Sequence, residues 1–208
     1  MKQLAVFSSL VAALALGGVA APPRAATFDD PDWPCIQRKV PELSIGQMWA
    51  GPVPDETVQA LAEEQEIADT ASALALRRVP LEQAEEIVAT FAERQEADRN
   101  ARLTALFVAT FDIIGAERDD VMSGIARYAH KQTDLSETIE DRRAELVTLE
   151  AETEPDFDRI EEIEDTLLWE ERIYNDRRQS LTYVCETPVL LEQRAFAIAR
   201  MIMSHLEE

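Results

Sequence analysis

The sequence is poor in the residues that mark most catalytic and metal sites. Its 208 residues include only two cysteines, two histidines and six glycines. His130 and His205 have no second imidazole or cysteine at a metal-binding spacing, so no zinc site is expected. The absence of a CxxC motif excludes a dithiol redox centre or haem attachment of that type. No serine stands in a strained, glycine-flanked turn as an activated nucleophile. We therefore expect no enzyme activity and no cofactor.

Long apolar runs and positive charge are also scarce. After residue 26 no apolar stretch approaches the ~20 residues of a membrane-spanning helix, so stable membrane insertion is not expected. The chain has 41 acidic and 20 basic residues, which gives a formal net charge of −21. Such a surface repels the phosphates of nucleic acids and anionic lipid head groups. It suits a basic protein or a cation as partner, and solubility alone is the simpler explanation.

The first residues follow the plan of a secretory signal peptide. Lys2 supplies a positive charge, residues 4–19 are uncharged, and small residues continue to Ala26. We predict that residues 1–26 are a cleaved signal peptide. An uncleaved anchor is the alternative, although its apolar run is slightly short for a spanning helix. The predicted location is the bacterial periplasm.

Proline divides the remaining chain into two parts. Seven of the ten prolines lie between Pro22 and Pro54. Because closely spaced prolines oppose helix formation, residues 27–53 are expected to form an extended arm that also carries tryptophan. Residues 54–208 are rich in Ala, Glu, Leu and Arg and contain almost no glycine. This composition, with its apolar periodicity, predicts an all-α helical domain.

Local helix breakers set the expected helix ends in this domain. The apolar run 103–114 predicts a central buried helix that ends at Gly115. Thr187 and Pro188 fit a cap and a first-turn proline, so a last helix is expected to begin there. Pro80 ends a first helix. The expected inner face of that first helix comprises Val58, Leu61, Gln65, Ala68, Ser72 and Val79.

The clearest periodic pattern in the chain lies between about residue 118 and residue 186. Two series of residues are spaced alternately by three and four positions, which is the period of a coiled coil. A break at Thr153–Asp156 separates them, so the two helices are expected to fold back as a long antiparallel coiled-coil hairpin. The series are Val121, Ile125, Tyr128, Gln132, Leu135, Ile139, Arg142, Leu146 and Leu149, and then Ile160, Ile163, Leu167, Glu170, Tyr174, Arg177, Leu181 and Val184.

Folding about the break predicts which residues meet across the hairpin. Leu146 is expected near Ile163, and the polar pair Arg142 and Glu170 within about one turn of each other. Such an ion pair can fix the register although its net stabilisation is small. The alternative is an ordinary helix bundle whose apolar positions happen to fit heptads.

Cys35 and Cys185 are the only cysteines. An even number of cysteines in an exported protein predicts one disulfide bond, which here would fasten the arm to the base of the hairpin. Two unpaired buried thiols or a shared metal are the alternatives.

The segment Asp32-Trp-Pro-Cys-Ile-Gln, followed by Met48-Trp-Ala-Gly-Pro, resembles the N-terminal region of uncharacterised exported proteins of alphaproteobacteria. The resemblance covers about 25 residues. It implies a periplasmic setting and no particular activity.

Together these patterns predict a non-enzymatic periplasmic accessory protein that presents an acidic helical hairpin to an envelope protein, and the negative charge favours a basic one. A helical module that binds a cation or small ligand, and a periplasmic holdase chaperone, are the alternatives. The oligomeric state is left open. The candidate docking residues are Trp33 and Trp49 in the arm and Glu150, Glu152, Glu154 and Asp156 around the hairpin turn.

Overall fold

The computed structural model describes residues 30–207. The predicted signal peptide and the first three residues of the arm lie outside this range. The described part of the chain forms six helices and no strand, so the expected all-α bundle is confirmed. The helices are α1 Ile45–Met48, α2 Glu56–Ala62, α3 Gln65–Ala75, α4 Leu81–Glu93, α5 Arg99–Glu150 and α6 Phe157–Met203.

Two long helices run the length of the molecule. Helix α5 has 52 residues and α6 has 47, so they extend about 78 and 70 Å at ~1.5 Å per residue. Residues 151–156 join them in a tight turn, and the two helices pack antiparallel against each other. One end of the pair forms the bundle with α2, α3 and α4. The other end projects as a hairpin.

The main core lies in the bundle. It is built from the inner faces of α2, α3 and α4, the first part of α5 and the end of α6. Trp49 of the arm joins it by stacking on Phe107, with ring centroids 4.3 Å apart and planes 6° from parallel. This core includes the fully buried side chains Ile67, Leu74, Phe91, Leu103, Leu106, Ile114, Leu191 and Ile198.

Two smaller apolar clusters follow along the α5–α6 pair. The first surrounds the disulfide and contains Trp33 and Ile125. The second lies in the projecting hairpin, where Ile139, Ile163 and Leu167 are buried between the helices. The predicted seam residues Leu135, Leu146, Leu149 and Tyr174 pack against this second cluster. The helices therefore meet along the predicted positions, while supercoiling of the pair stays a prediction.

Two predicted helix ends are wrong. Helix α5 continues through Gly115, and α6 continues through Pro188. A glycine costs about 1 kcal/mol and a proline about 3 kcal/mol in a helix interior, amounts that packing along a long helix can offset. Pro188 is buried, and the neighbouring Leu191 and Ile114 are fully buried in the main core.

The predicted first helix is also wrong in two respects. It is interrupted at Glu63 and Glu64, which separate α2 from α3. The inner face of α3 is formed by Ile67, Ala71 and Leu74, whereas Gln65 and Ser72 are exposed. The interruption rotates α3 relative to α2. A single helical face predicted across both segments therefore cannot face the core along its whole length.

The arm is extended except for one turn of helix, α1, which the proline-based prediction missed. Both arm tryptophans are buried in this same chain, with 3% of Trp33 and 7% of Trp49 exposed. Their indole N–H groups donate to backbone carbonyls of the arm, Trp33 to Gln37 and Trp49 to Pro52, each at 2.7 Å. The indole N–H groups of both tryptophans therefore have hydrogen-bond acceptors within the chain.

The disulfide between Cys35 and Cys185 is confirmed, with the two Cα atoms 5.6 Å apart. It fastens the arm to α6 at the middle cluster. Arg118 of α5 makes a second attachment nearby. Its guanidinium is buried, donates to the carbonyl oxygens of Val40 and Pro41, and pairs with Glu192 at 2.8 Å.

Candidate functional site

The distal hairpin, residues 134–177, is the part of the molecule that projects farthest from the main core. Its seam is closed by apolar contacts and by an ion pair at the predicted polar position. Arg142 donates from Nε to Oε2 of Glu170 at 2.8 Å, and both side chains are largely shielded. This contact confirms the predicted register of the two helices.

Further ion pairs cross the hairpin on either side of the seam. Arg143 contacts Glu171 at 2.6 Å on one side, and Arg159 contacts Glu145 at 2.9 Å on the other. The hydrogen bonds that Arg159 donates to Glu145 and Glu162 raise the pKa of Arg159 above its ordinary value. These bridges are exposed, so each stabilises the pair only slightly. Their main consequence is that three of the few basic side chains already have partners.

The remaining charge of the distal hairpin is strongly negative. This segment contains 17 acidic and 5 basic residues. Most of its carboxylates, including Glu140, Asp141, Glu161 and Glu164, are exposed and form no ion pair with any described residue. Neighbouring like charges repel, so the free energy of this surface falls when a cation or a basic surface approaches.

The four acidic docking candidates lie together at the tip. Glu150 is the last residue of α5, Glu152 and Glu154 are in the turn, and all three are exposed. Asp156 is exposed but also has a structural role, because its Oδ1 accepts from the backbone N–H of Arg159 and caps α6. The tip therefore offers three carboxylates that have no such local role.

Large apolar side chains are exposed beside these carboxylates. Val147, Phe157, Leu168 and Trp169 are each 62–76% exposed. The first three share one side: Val147 is four residues after Arg143, and Leu168 is three residues before Glu171, so both lie beside that ion pair. Phe157 is eleven residues from Leu168, close to three full turns. Trp169 faces another side. None of these four residues belongs to the seam series. This absence from the seam indicated exposure in the sequence itself, and the predicted docking residues did not include them.

The two tryptophans proposed as docking residues do not join this surface. Trp33 and Trp49 are buried against α5 and α6. Trp49 packs in the main core and Trp33 in the cluster around the disulfide. That part of the docking prediction is corrected. The large hydrophobic side chains of the described part of the arm that are exposed are Ile36 and Val53.

Other concave features offer no obvious reactive centre. A groove of about 430 Å³ lies between α3 and α4 and contains Asp69, Glu86 and Arg94 among polar and apolar side chains. Within residues 30–207, no three His, Cys, Asp or Glu side chains converge as metal ligands would. His130 contacts Asp32 of the arm at 2.7 Å, and His205 lies just after α6.

Two buried or half-buried groups have shifted pKa values without forming a site. Burial lowers the pKa of Arg194, whose guanidinium donates to the carbonyl oxygens of Leu74 and Val79 at 2.7 and 2.8 Å. These carbonyls lie at and just beyond the end of α3, where acceptors lack helical partners. Desolvation raises the pKa of Asp112 on α5. Arg194 therefore serves packing between α6 and the end of α3.

Among residues 30–207, no helix combines the length and the apolar composition that crossing a membrane requires. Comparisons with protein-family models, with curated proteins and with solved structures find no match to this chain. The functional proposal therefore depends on the chemistry of the hairpin itself.

Proposed function

We propose that the protein is a non-enzymatic periplasmic accessory protein whose distal hairpin docks on a basic envelope protein. The observation that carries the proposal is the charge of this hairpin, with 17 acidic against 5 basic residues. The structural bundle needs no such projection, because its main core is complete without residues 134–177. A long acidic extension that contributes little to the main core is suited to binding another molecule.

The arrangement of charge within the hairpin supports this role. All three arginines between residues 140 and 165 are held in ion pairs with the hairpin's own glutamates. The carboxylates that remain unpaired are at the tip and along the outer faces. Exposed complementary charge raises the rate and the specificity of association more than the final affinity. Phe157 and Leu168 supply apolar area that the partner can cover.

The disulfide supports the proposed compartment. Disulfide bonds persist in oxidising environments such as the periplasm and are rare in the bacterial cytoplasm. The Cys35–Cys185 bond is buried and joins distant parts of the chain, as expected of a structural bond rather than a catalytic one. The signal peptide predicted from residues 1–26 would deliver the chain to that compartment.

Site-specific crosslinking in the native envelope tests the proposal. A photo-crosslinking residue at Thr153, in the exposed turn, should capture one dominant basic protein. The same residue at Glu85, on the exposed side of α4, should capture little. Capture of many unrelated proteins at both positions would favour a holdase chaperone, and no dominant product at Thr153 would contradict hairpin docking.

A matched pair of charge variants distinguishes the effect of the tip carboxylates from the effect of the overall net charge. The triple variant Glu150→Gln, Glu152→Gln, Glu154→Gln should reduce capture at least tenfold. A control with Glu85→Gln, Glu93→Gln and Glu96→Gln removes the same charge from exposed bundle positions and should retain capture. An equal loss in both variants would show that overall charge, and not the tip, controls association.

Shortening the hairpin gives an independent test. Deleting residues 143–149 and 160–166 removes one heptad from each helix and keeps the register of the remaining seam. The main core does not include these residues, so the variant should fold and lose capture. Full capture by the folded, shortened protein would contradict docking that depends on the length of the distal hairpin.

A further inference from the structure

The α5–α6 pair carries an unusual local charge between the bundle and the distal hairpin. We call residues 121–133 and 177–185 the basic belt, which shares Arg177 with the distal hairpin. These two segments contain Arg127, Lys131, Arg177 and Arg178 and no aspartate or glutamate. The belt is therefore locally positive in a chain whose formal net charge is −21. The acidic tip fits a basic partner, whereas the positive belt favours an anionic one.

An apolar groove of about 290 Å³ lies in the basic belt. Its walls are seam side chains, and it opens where two small residues, Gly124 and Ser180, leave the seam uncovered. A bulkier residue at either position would close it. The groove is lined by Val121, Gly124, Ile125, Tyr128, Ser180, Leu181 and Val184.

The arm leaves this groove open because it covers the other side of the helix pair. Pro34 of the arm lies beside Arg178 and Cys185. Ser180 is two residues after Arg178, so the two side chains point about 200° apart around α6. The disulfide and the arm thus protect one side of the seam, and the groove marks the unprotected side.

Three basic side chains surround the groove toward the distal hairpin. Arg127 extends over Gly124, with its guanidinium nitrogen 3.8 Å from the point that a Cβ at Gly124 would occupy. Lys131 is seven residues after Gly124, and Arg177 is three residues before Ser180, so each shares the face of a groove residue. None of the three forms an ion pair within residues 30–207.

Acidic residues lie only beyond the two ends of the groove. Asp120 is one turn before Gly124 on α5, and Asp176 is one turn before Ser180 on α6. Neither lines the groove. Arg127, Lys131 and Arg177 likewise lie beside the groove and not in its lining. The site therefore has apolar walls, with three cations and one carboxylate, Asp176, beside the end toward the distal hairpin, and Asp120 beside the other end.

We propose that this groove binds an amphiphile with an anionic head group and an apolar tail, such as a long-chain carboxylate or alkyl phosphate. The head group pairs with Arg127, Lys131 and Arg177. The tail lies along Val121, Leu181 and Val184, which are partly or largely exposed, and removes their surface from water. This site is separate from the docking tip, so either proposal can fail without the other.

Calorimetric titration of the purified, oxidised protein with monomeric dodecanoate and dodecyl phosphate tests the groove. Saturable one-to-one binding is expected for at least one of them, with a rise in melting temperature as ligand increases. Preference between the two identifies the head group. Dodecyltrimethylammonium, which has the same tail and the opposite charge, should bind at least tenfold more weakly. Equal binding of the cationic analogue, or no binding of either anion, would overturn the proposal.

The decisive variant is Gly124→Leu, because the leucine side chain should fill the groove without destabilising the fold. A Cβ at Gly124 meets only the flexible end of Arg127, at an ordinary contact distance. Leucine is also a better helix former than glycine. Dodecanoate binding should fall at least tenfold in this variant while the melting temperature without ligand stays equal or rises. Undiminished binding would place the ligand elsewhere.

A charge comparison tests the head-group end of the site. Arg127→Gln with Lys131→Gln should weaken binding of the anionic amphiphiles at least tenfold. Arg178→Gln removes a belt charge from the arm side and should leave binding unchanged. If Arg178→Gln weakens binding as much as the double variant, the anion is held by the general charge of the belt and the assigned groove is wrong.

Discussion

Arg118 joins three parts of the molecule through a single buried guanidinium. It belongs to α5, pairs with Glu192 of α6, and donates to two carbonyl oxygens of the arm. Only 1% of the residue is exposed. Arginine suits this position because its planar group offers five donors in fixed directions. A lysine could not serve the carboxylate and both carbonyls with the same geometry.

Replacement of Arg118 should therefore be costly. Arg118→Met keeps most of the apolar stem but leaves Val40 and Pro41 without a donor and Glu192 without its partner. The free energy of unfolding should fall by about 2–4 kcal/mol, as measured by urea denaturation. Arg172→Met, at an exposed position, is the control and should change it by less than about 0.5 kcal/mol. A loss below about 1 kcal/mol at Arg118 would mean that water replaces the guanidinium.

Two glycines should respond in opposite directions to the same substitution. A Cβ at Gly51 would lie 2.6 Å from the Trp49 ring and 2.8 Å from Leu206, whereas one at Gly115 would meet nothing within 4 Å. Gly51→Ala should lower the melting temperature, with a cost of about 1–3 kcal/mol. Gly115→Ala should raise it through a gain of about 0.5–1 kcal/mol in helix propensity. Thermal unfolding followed by circular dichroism measures both, and a shift of the same sign would contradict this packing.

At the scale of elements, apolar periodicity predicted the helix pairing better than local breakers predicted the helix ends. The alternating three- and four-residue spacing continues past Gly115 and past Pro188, through residues that are buried in the bundle. On α5 it includes Phe107, Phe111, Ile114 and Arg118; on α6 it includes Pro188, Leu191, Ala195, Ile198 and Ile202. The unbroken spacing was the signal for two long helices, and it also places Arg118 on the seam.

Other features had no comparable signal in the sequence. The interruption at Glu63 and Glu64 contains neither glycine nor proline, and it exists because α2 and α3 must pack on different parts of α5. Burial of Trp33 and Trp49 within the chain depends on where the arm lies across α5 and α6. Proline content predicted that the arm is mostly extended but not its path.

The arm is held by one covalent bond, so breaking it should have a large effect. Cys35 and Cys185 are separated by 150 residues. In the chain-entropy account, closing a loop of this size stabilises the fold by about 4–5 kcal/mol. The double variant Cys35→Ser, Cys185→Ser should unfold at lower urea concentration, with a loss of about 3–5 kcal/mol.

Reduced wild-type protein is the matched control and should unfold together with the double variant. Digestion without reductant should give the two cysteine peptides linked in one mass. If oxidised and reduced protein unfold at the same urea concentration, the arm is held by Arg118 and Trp33 alone and the bond contributes nothing.

On the scale of the whole molecule, charge is distributed unevenly along the long axis. The distal hairpin carries a surplus of twelve acidic residues, while the adjoining basic belt contains no acidic residue. Cleavage of the predicted signal peptide would remove Lys2 and Arg24 and make the overall balance more negative still. The separation means that a basic protein and an anionic amphiphile would approach different regions without competing.

Association through the tip should depend strongly on ionic strength. Exposed charges are screened over about 8 Å at physiological salt and about 3 Å at 1 M. Raising salt from about 0.05 to 0.5 M should slow association with the captured partner at least tenfold and change dissociation much less. Surface plasmon resonance with the purified partner measures both rates. A salt-independent association rate would assign the contact to Phe157 and Leu168 instead of the carboxylates.

The position of the disulfide has a consequence for how the chain responds to proteases. Cys35 and Cys185 close a covalent ring that contains the entire bundle portion of α5 and the hairpin tip. A single cut in the exposed turn at 151–156 would open this ring without separating the fragments. The nicked protein would migrate as one species until a reductant is added, and would then divide into two pieces. A tip cut in this way would stay attached to the rest of the protein.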